Sequence, residues 1–297
     1  MNPSLSSEEK VGPIEPIWIV SDHRQSLDKV QFGGYMDNQK WAALVEKDGK
    51  VHVVEMTKGV RKIKGIGVLD PFETFSATKT GDEVLIGQKI LTRAELRLPE
   101  MSKGMLRRAQ TISAKDAGFI ISRMGIGTGD RVLEAGIGSG GLAMYVAKVL
   151  GNTGVHVTVE PRNEHADVAL ENLRRCKESW SQYPVHHHVE GKIEEVIDDV
   201  EKISNKFDAV VLDLPEHPSA IRAISRLLSP GGRLVCYCPV TSQLESAWET
   251  CEAEGLEIEW AGELIQRQWG KASKGGVRPV NGPFGHTAFL LLALRKS

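Results

Sequence analysis

Apolar and polar positions change rhythm once along this chain. Before about residue 100 they come in short runs broken by turn residues. "KWAALVEKDGKVHVVEM" carries two apolar-rich runs joined at Asp48-Gly49, a strong hairpin signal because both residue types tolerate the positive φ that a tight turn demands. "GDEVLIGQKIL" reads as a second strand pair. From Thr111 onward, strand-length apolar runs alternate with helix-length amphipathic segments, the pattern of parallel βαβ units. This predicts a small β-rich domain over residues 1–100 and a larger α/β domain over residues 101–297. The join falls in "LRLPEMSKGMLRR", where Pro99 and a basic cluster interrupt the periodicity.

Within the larger part, "SAKDAGFIISRM" begins with Ser113 and has Asp116 three residues on, which predicts a capped helix start. "DRVLEAG" is then a first strand, "GLAMYVAKVL" a helix, "GVHVTVE" a strand ending at Glu160 and "NEHADVALENLRRC" a second helix. "FDAVVLDLP" is a buried strand followed by the helical "HPSAIRAISRLL". Ser229-Pro230-Gly231-Gly232 makes a turn before the strand "RLVCYCP", and "HTAFLLLALRK" is a long apolar strand. The chain holds no internal repeat.

Composition adds mainly exclusions. The 297 residues are 41% hydrophobic and 26% charged, average for a globular protein, so neither a fibre nor a disordered chain is indicated. No run of ~18 apolar residues occurs, and "MNPSLSSEEK" lacks the basic-then-apolar pattern of a signal peptide; a cytoplasmic location and no membrane partner are expected. A net charge of −2 leaves nucleic-acid attraction to local basic clusters. The four cysteines contain no CxxC pair and read as plain thiols. His186, His187 and His188 alternate across a strand and do not converge, so no metal is expected.

The chemistry starts at "VLEAGIGSGG", whose glycines suit close approach of a ligand to bare backbone. The same residues satisfy G-x-G-x-x-G for a dinucleotide and the first loop of a methyltransferase that uses S-adenosylmethionine. Glu160, ending the next strand, suits a ribose diol in either case. Three features favour the methyl donor: Glu134 inside the first strand, the carboxylate of Asp213-Leu214-Pro215-Glu216 at the carboxyl edge of a parallel strand, and the late strands "RLVCYC" and "HTAFLLLALRK". A dehydrogenase is the weaker reading.

The order "RRAQTISAKDAGFII", "VLEAGIGSGGLAMYVAKVLG", "VVLDLPEH", "GGRLVCYCPVTSQ" and "GHTAFLLLA" resembles the tRNA (adenine-N1)-methyltransferase family that acts on T-loop adenine 58, in the style of its archaeal members, some of which also modify position 57. The resemblance implies a Rossmann-like, seven-stranded class I methyltransferase domain with a small N-terminal β-domain, S-adenosylmethionine as cofactor, tRNA as partner and a homotetramer. It implies that Gln110, Thr111, Glu134, Gly136, Gly138, Ser139, Gly140, Gly141, Glu160, Gly191 and Lys192 surround the cofactor. Asp213 matches the residue that acts at the target base and is counted with both groups. A carboxylate there would accept a hydrogen bond from the 6-amino group and stabilise the positive charge that the ring gains.

One departure stands out: where relatives read Tyr-Pro-Lys-Asp, this chain reads Ser113-Ala114-Lys115-Asp116. Serine cannot stack on a base, so either another aromatic such as Tyr237 or Trp269 substitutes or the target is held differently. Three basic clusters are candidate phosphate contacts: "KGVRKIK", "KGMLRR" and "RQWGKASKGGVRP". The last, read as a flexible loop, offers Trp269, Lys271, Lys274 and Arg278, and His286 of "GHTAFL" joins them on the substrate side. Competing readings are a methyltransferase for protein isoaspartate or a precorrin, and a non-catalytic RNA-binding subunit; an intact glycine loop disfavours the last.

Overall fold

A computed structural model describes residues 40–272, 275–280 and 285–297; Lys274 lies outside the described residues. Strands β1 (Trp41–Val45) and β2 (Val51–Glu55) form the hairpin expected at Asp48-Gly49. Gly49 sits at φ 86° and donates its N–H to the Glu46 carbonyl at 2.9 Å. A short pair, β3 (Arg61–Ile63) and β4 (Gly67–Leu69), precedes helix α1 (Pro71–Ser76), which is capped by the Asp70 carboxylate. β5 (Glu83–Ile86) and β6 (Lys89–Ala94) are the second expected pair and complete an antiparallel sheet of order β2-β1-β6-β5.

Helix α2 (Leu98–Gly104) occupies the stretch read as an interruption. Its proline stands in the first turn, where a missing N–H costs nothing. Met101 is fully buried in one apolar cluster with Trp41 and Val51 of the small sheet and Met144 of the larger part.

The larger part alternates strand and helix as expected. It runs α3 (Ala114–Met124), β7 (Arg131–Ala135), α4 (Gly141–Leu150), β8 (Val155–Glu160), α5 (Asn163–Ser179), β9 (Val185–Glu190) and α6 (Ile193–Ile203). It continues through β10 (Phe207–Leu212), α7 (Pro218–Ile224), β11 (Leu228–Cys238), α8 (Thr241–Ala253) and β12 (Glu257–Glu263). Ser113 caps α3 by accepting the Asp116 N–H. A ribbon of β13 (Trp269–Lys271) and β14 (Val277–Pro279) then leads to β15 (Phe289–Leu294). That ribbon corrects the expectation of a flexible loop: Trp269 pairs with Pro279 and Lys271 with Val277 in antiparallel register.

The seven-stranded sheet has the order β12-β15-β11-β10-β7-β8-β9, with β15 antiparallel to both its neighbours. Alternate residues of each central strand enter opposite cores, which is why these strands read as nearly continuous apolar runs. Leu133 and Val210 pack on the side of α6, α7 and α8, whereas Val132 and Val211 pack on the side of α3 and α4. All four cysteines are buried. His186 and His188 share one face of β9 and both approach the Thr158 hydroxyl at 3.0 Å. Among the described residues, no helix is long and apolar enough to cross a membrane.

Candidate functional site

The strand order reverses between β7 and β10: β8 and β9 continue to one side of this pair, β11 to the other. Loops leaving neighbouring strands at such a point diverge and open a crevice at the carboxyl edge of the sheet. The glycine loop leaves β7 there, and Asp213 leaves β10. The two loops are tied at their roots. The Asp213 N–H donates to the Ala135 carbonyl at 2.9 Å, and the Gly136 N–H to the Val159 carbonyl at 2.9 Å. Gly136 adopts φ 87°, and a Cβ at this position would run into the Asp213 carbonyl oxygen. The first glycine is therefore required by the contact between the loops as well as by the turn.

The crevice has two lobes that share Gly136, Leu214 and Pro215. One is walled by Val159, Pro161, Gly191, Lys192 and Ile193. The other is walled by Gln110, Thr111, Gly138, Arg162, Asp213 and Tyr237. Seven of the expected cofactor residues thus line the crevice: Gln110, Thr111, Gly136, Gly138, Gly191, Lys192 and Asp213.

The remaining expected residues shape it from behind. Ser139 is buried, and its hydroxyl accepts the N–H groups of Arg108 at 3.0 Å and Ala109 at 2.8 Å, fixing the segment that carries Gln110. Gly140, at φ 79°, packs against Ala169, and Gly141 lies where a Cβ would clash with Thr111. Glu160 is fully buried; its carboxylate accepts the Gly138 N–H at 3.1 Å and Arg162 Nε at 2.7 Å. Glu134 lines neither lobe. It lies beneath the glycine loop with Oε2 3.1 Å from His156 Nε2.

Burial disfavours charge on both members of this pair: it pushes the Glu134 carboxyl up to about 8 and His156 down to about 3. Asp213 is half-buried; burial first, then the charges of Glu134 and Glu160, raise it to about 7 against the opposing charge of Arg162. A carboxyl poised at neutrality in a crevice is a group placed for chemistry at a developing charge.

On the expected substrate side, His286 is exposed, with Nδ1 2.8 Å from Glu263 and Nε2 3.1 Å from the Pro239 carbonyl, and both contacts raise its pKa. Its neighbour Thr287 lines the Asp213 lobe. Trp269, Lys271 and Arg278 stand together on the exposed ribbon and line neither lobe. Of the two aromatics weighed as substitutes for the absent tyrosine, Tyr237 lines the Asp213 lobe and Trp269 does not. Ser113 is engaged with Asp116, as is Lys115, whose Nζ also meets the Thr287 hydroxyl at 2.8 Å.

Sequence reasoning missed Arg162 and Gln243. Gln243 Nε2 donates to the Pro215 carbonyl at 2.7 Å and holds the loop after β10 to the start of α8. Only the adjacency of β10 and β11 brings these residues together, whereas Arg162 stood two residues from Glu160 in plain view.

The crevice suits S-adenosylmethionine: an apolar wall of Val159, Pro161 and Ile193 for a purine face, a buried carboxylate for a diol, and bare loop backbone between them. The fold is that of class I S-adenosylmethionine-dependent methyltransferases. An S-adenosylmethionine-dependent O-methyltransferase from Thermotoga maritima superposes with a TM-score of 0.71 at 24% identity, over 88% of this chain and 94% of that one. The tRNA (m1A58) methyltransferase TrmI from Aquifex aeolicus superposes with a TM-score of 0.64 at 20% identity, over 87% and 97%.

In sequence, residues 97–274 match the family described as the tRNA methyltransferase complex GCD14 subunit, and the chain belongs to this family. The tRNA (adenine(57)-N(1)/adenine(58)-N(1))-methyltransferase TrmI of Methanocaldococcus jannaschii is 33% identical over 211 residues, 65% of this chain and 74% of that protein. The tRNA (adenine(58)-N(1))-methyltransferase TrmI of Thermus thermophilus is 34% identical over 199 residues, 67% and 74%. The chain is thus an S-adenosylmethionine-dependent methyltransferase, and the dehydrogenase reading falls away.

Proposed function

We propose that this enzyme methylates N1 of adenine 58 in the T-loop of tRNA, with adenine 57 as a second target to be tested. The observation that carries the reading is Asp213, which lines one lobe directly beside the shared Leu214 and Pro215, in a chain of this family. S-adenosylmethionine supplies an activated methyl group. Glu160 receives its ribose, Pro161 and Ile193 flank its adenine, and Gly191 and Lys192 edge that ring. Gln110, Thr111, Gly136 and Gly138 enclose its methionine part; Glu134, Ser139, Gly140 and Gly141 hold this wall in shape.

N1 of adenine carries its own lone pair, so no base is needed to free it. Asp213 accepts a hydrogen bond from the 6-amino group and offsets the charge the ring acquires. Tyr237 brackets the target base, taking the part that Ser113 cannot play. The base must leave its stack to enter the lobe; Lys271, Lys274 and Arg278 hold phosphates, Trp269 offers a stacking platform, and His286 guards the entrance. The two-domain division near residue 100, a homotetrameric assembly and a cytoplasmic location belong to the same proposal.

The test is direct. Incubation with labelled S-adenosylmethionine and unmodified tRNA, followed by mapping of the modified nucleoside, should give 1-methyladenosine at position 58. Label at a nucleoside other than adenosine 57 or 58, or in protein alone, overturns the proposal.

A further inference from the structure

Glu160 ends a strand at the mouth of the crevice and yet is sealed from solvent. Arg162 makes the seal. Its Nε donates to Glu160 Oε1 at 2.7 Å and its main-chain N–H to the same oxygen at 3.3 Å, while Gly138 takes Oε2. The Arg162 side chain is itself 53% exposed. It faces the lobe that holds Asp213 and is the one cation among the described residues lining that lobe.

A ribose diol and Arg162 therefore compete for one carboxylate. Three hydrogen bonds leave about one of the carboxylate's four acceptor positions open, so a diol needs the position that the guanidinium holds. We propose that Arg162 is a transferable latch: it holds Glu160 until the donor ribose engages that carboxylate, then turns into the Asp213 lobe and grips the phosphate of the target nucleotide. The inference rests on the assignment of Glu160 to the donor ribose and of tRNA as acceptor.

The chemistry favours this destination. A planar guanidinium fork matches a phosphate in bidentate geometry, and a long side chain released from an ion pair keeps its charge. The consequence is thermodynamic. If donor binding frees the group that binds RNA, the donor tightens tRNA and tRNA tightens the donor by the same factor. The coupling cannot exceed the difference in Arg162's interactions between its two positions.

The experiment measures the dissociation constant of an unmodified tRNA transcript with and without saturating S-adenosylhomocysteine, for the wild type, Arg162→Gln and Arg162→Lys. The wild type should bind tRNA at least about fivefold tighter with S-adenosylhomocysteine, the lower end of ordinary coupling between sites. Arg162→Gln should show a ratio near one, with its affinity for S-adenosylhomocysteine unchanged or improved, and Arg162→Lys should fall between. Coupling that persists in Arg162→Gln overturns the latch. So does a large loss of S-adenosylhomocysteine affinity with coupling intact, which would put the guanidinium on the donor's own carboxylate. A wild type that binds no tRNA in either state fails the proposed function instead. Wild-type melting curves for both variants separate these outcomes from misfolding.

Discussion

The glycine loop after β7 and the Trp269–Pro279 ribbon both belong to the proposed site, and they are built in opposite ways. The loop is held mainly through backbone: it sits against the Asp213 and Val159 carbonyls, its own Ser139 hydroxyl takes the Ala109 N–H, and it has no room for a Cβ at Gly136. The ribbon is two three-residue strands whose Trp269 is 61% exposed, beside an exposed Val277. A methyl donor is one small molecule of fixed shape and can be met by rigid backbone. A folded RNA presents phosphates and bases over a wide surface, which charge and a stacking ring meet without a cavity. Damage to the loop should therefore spread into folding and turnover, and damage to the ribbon should stay in RNA affinity.

The largest expected effect is at Gly136. Gly136→Ala combines a backbone clash with a left-handed residue that now carries a side chain, and should cost about 3–5 kcal/mol of stability; a urea midpoint like that of the wild type would show the loops to be less tightly joined. Next comes Asp213→Ala, expected to lower turnover about 10²–10³-fold with donor binding largely kept. Measured turnover near wild type would remove Asp213 from the chemistry. Because Asp213 acts ionised and is held at about 7, kcat/KM should fall about tenfold per pH unit below that value, and the profile should flatten in Asp213→Asn.

On the ribbon, Trp269→Ala should raise KM for tRNA about tenfold with kcat unchanged. Charge reversal at Lys271 and Arg278 should flatten the salt dependence of tRNA binding, whereas a fall in kcat at either place would erase the contrast drawn above. The smallest effect has the opposite sign. The folded pKa of Asp213 lies above its ordinary value of 3.8, so the stabilising contribution is complete below about pH 4 and is lost as pH rises through 7. At pH 8 the ionised carboxylate is a net cost, and Asp213→Asn should melt a few degrees higher than the wild type. A lower melting point would mean that the charge is well solvated.

These contrasts also explain what was legible in the chain. The alternation of β7, β8 and β10 with their helices could be read because β10 ends in a continuous apolar run, β7 carries Val132 and Leu133 side by side, β8 carries a valine at every second position, and α3 starts at a marked residue, Ser113. Asp213 was found because it follows an apolar run without a gap. Helix α2 hid behind Pro99, and the ribbon hid because three-residue strands leave no periodicity to detect. The contact of Glu134 with His156 was not legible, because it follows from the register of β7 on β8, which aligns Glu134 with Thr158. Gln243 acquires its meaning only from a strand pairing, and no local pattern announces that.

The place of β15 in the sheet bears on how the protein is made. This strand follows β12 and the ribbon in the chain but lies between β11 and β12, hydrogen-bonded to both. Until it emerges from the ribosome, β11 lacks its outer neighbour and β12 has nothing to pair with. During that interval Cys236, Leu234 and Trp260 stand beside open strand edges, a surface that invites pairing with other nascent chains. The delay before β15 docks thus sets how long the polypeptide remains vulnerable, and a chaperone that shields strand edges would raise its yield most at this stage.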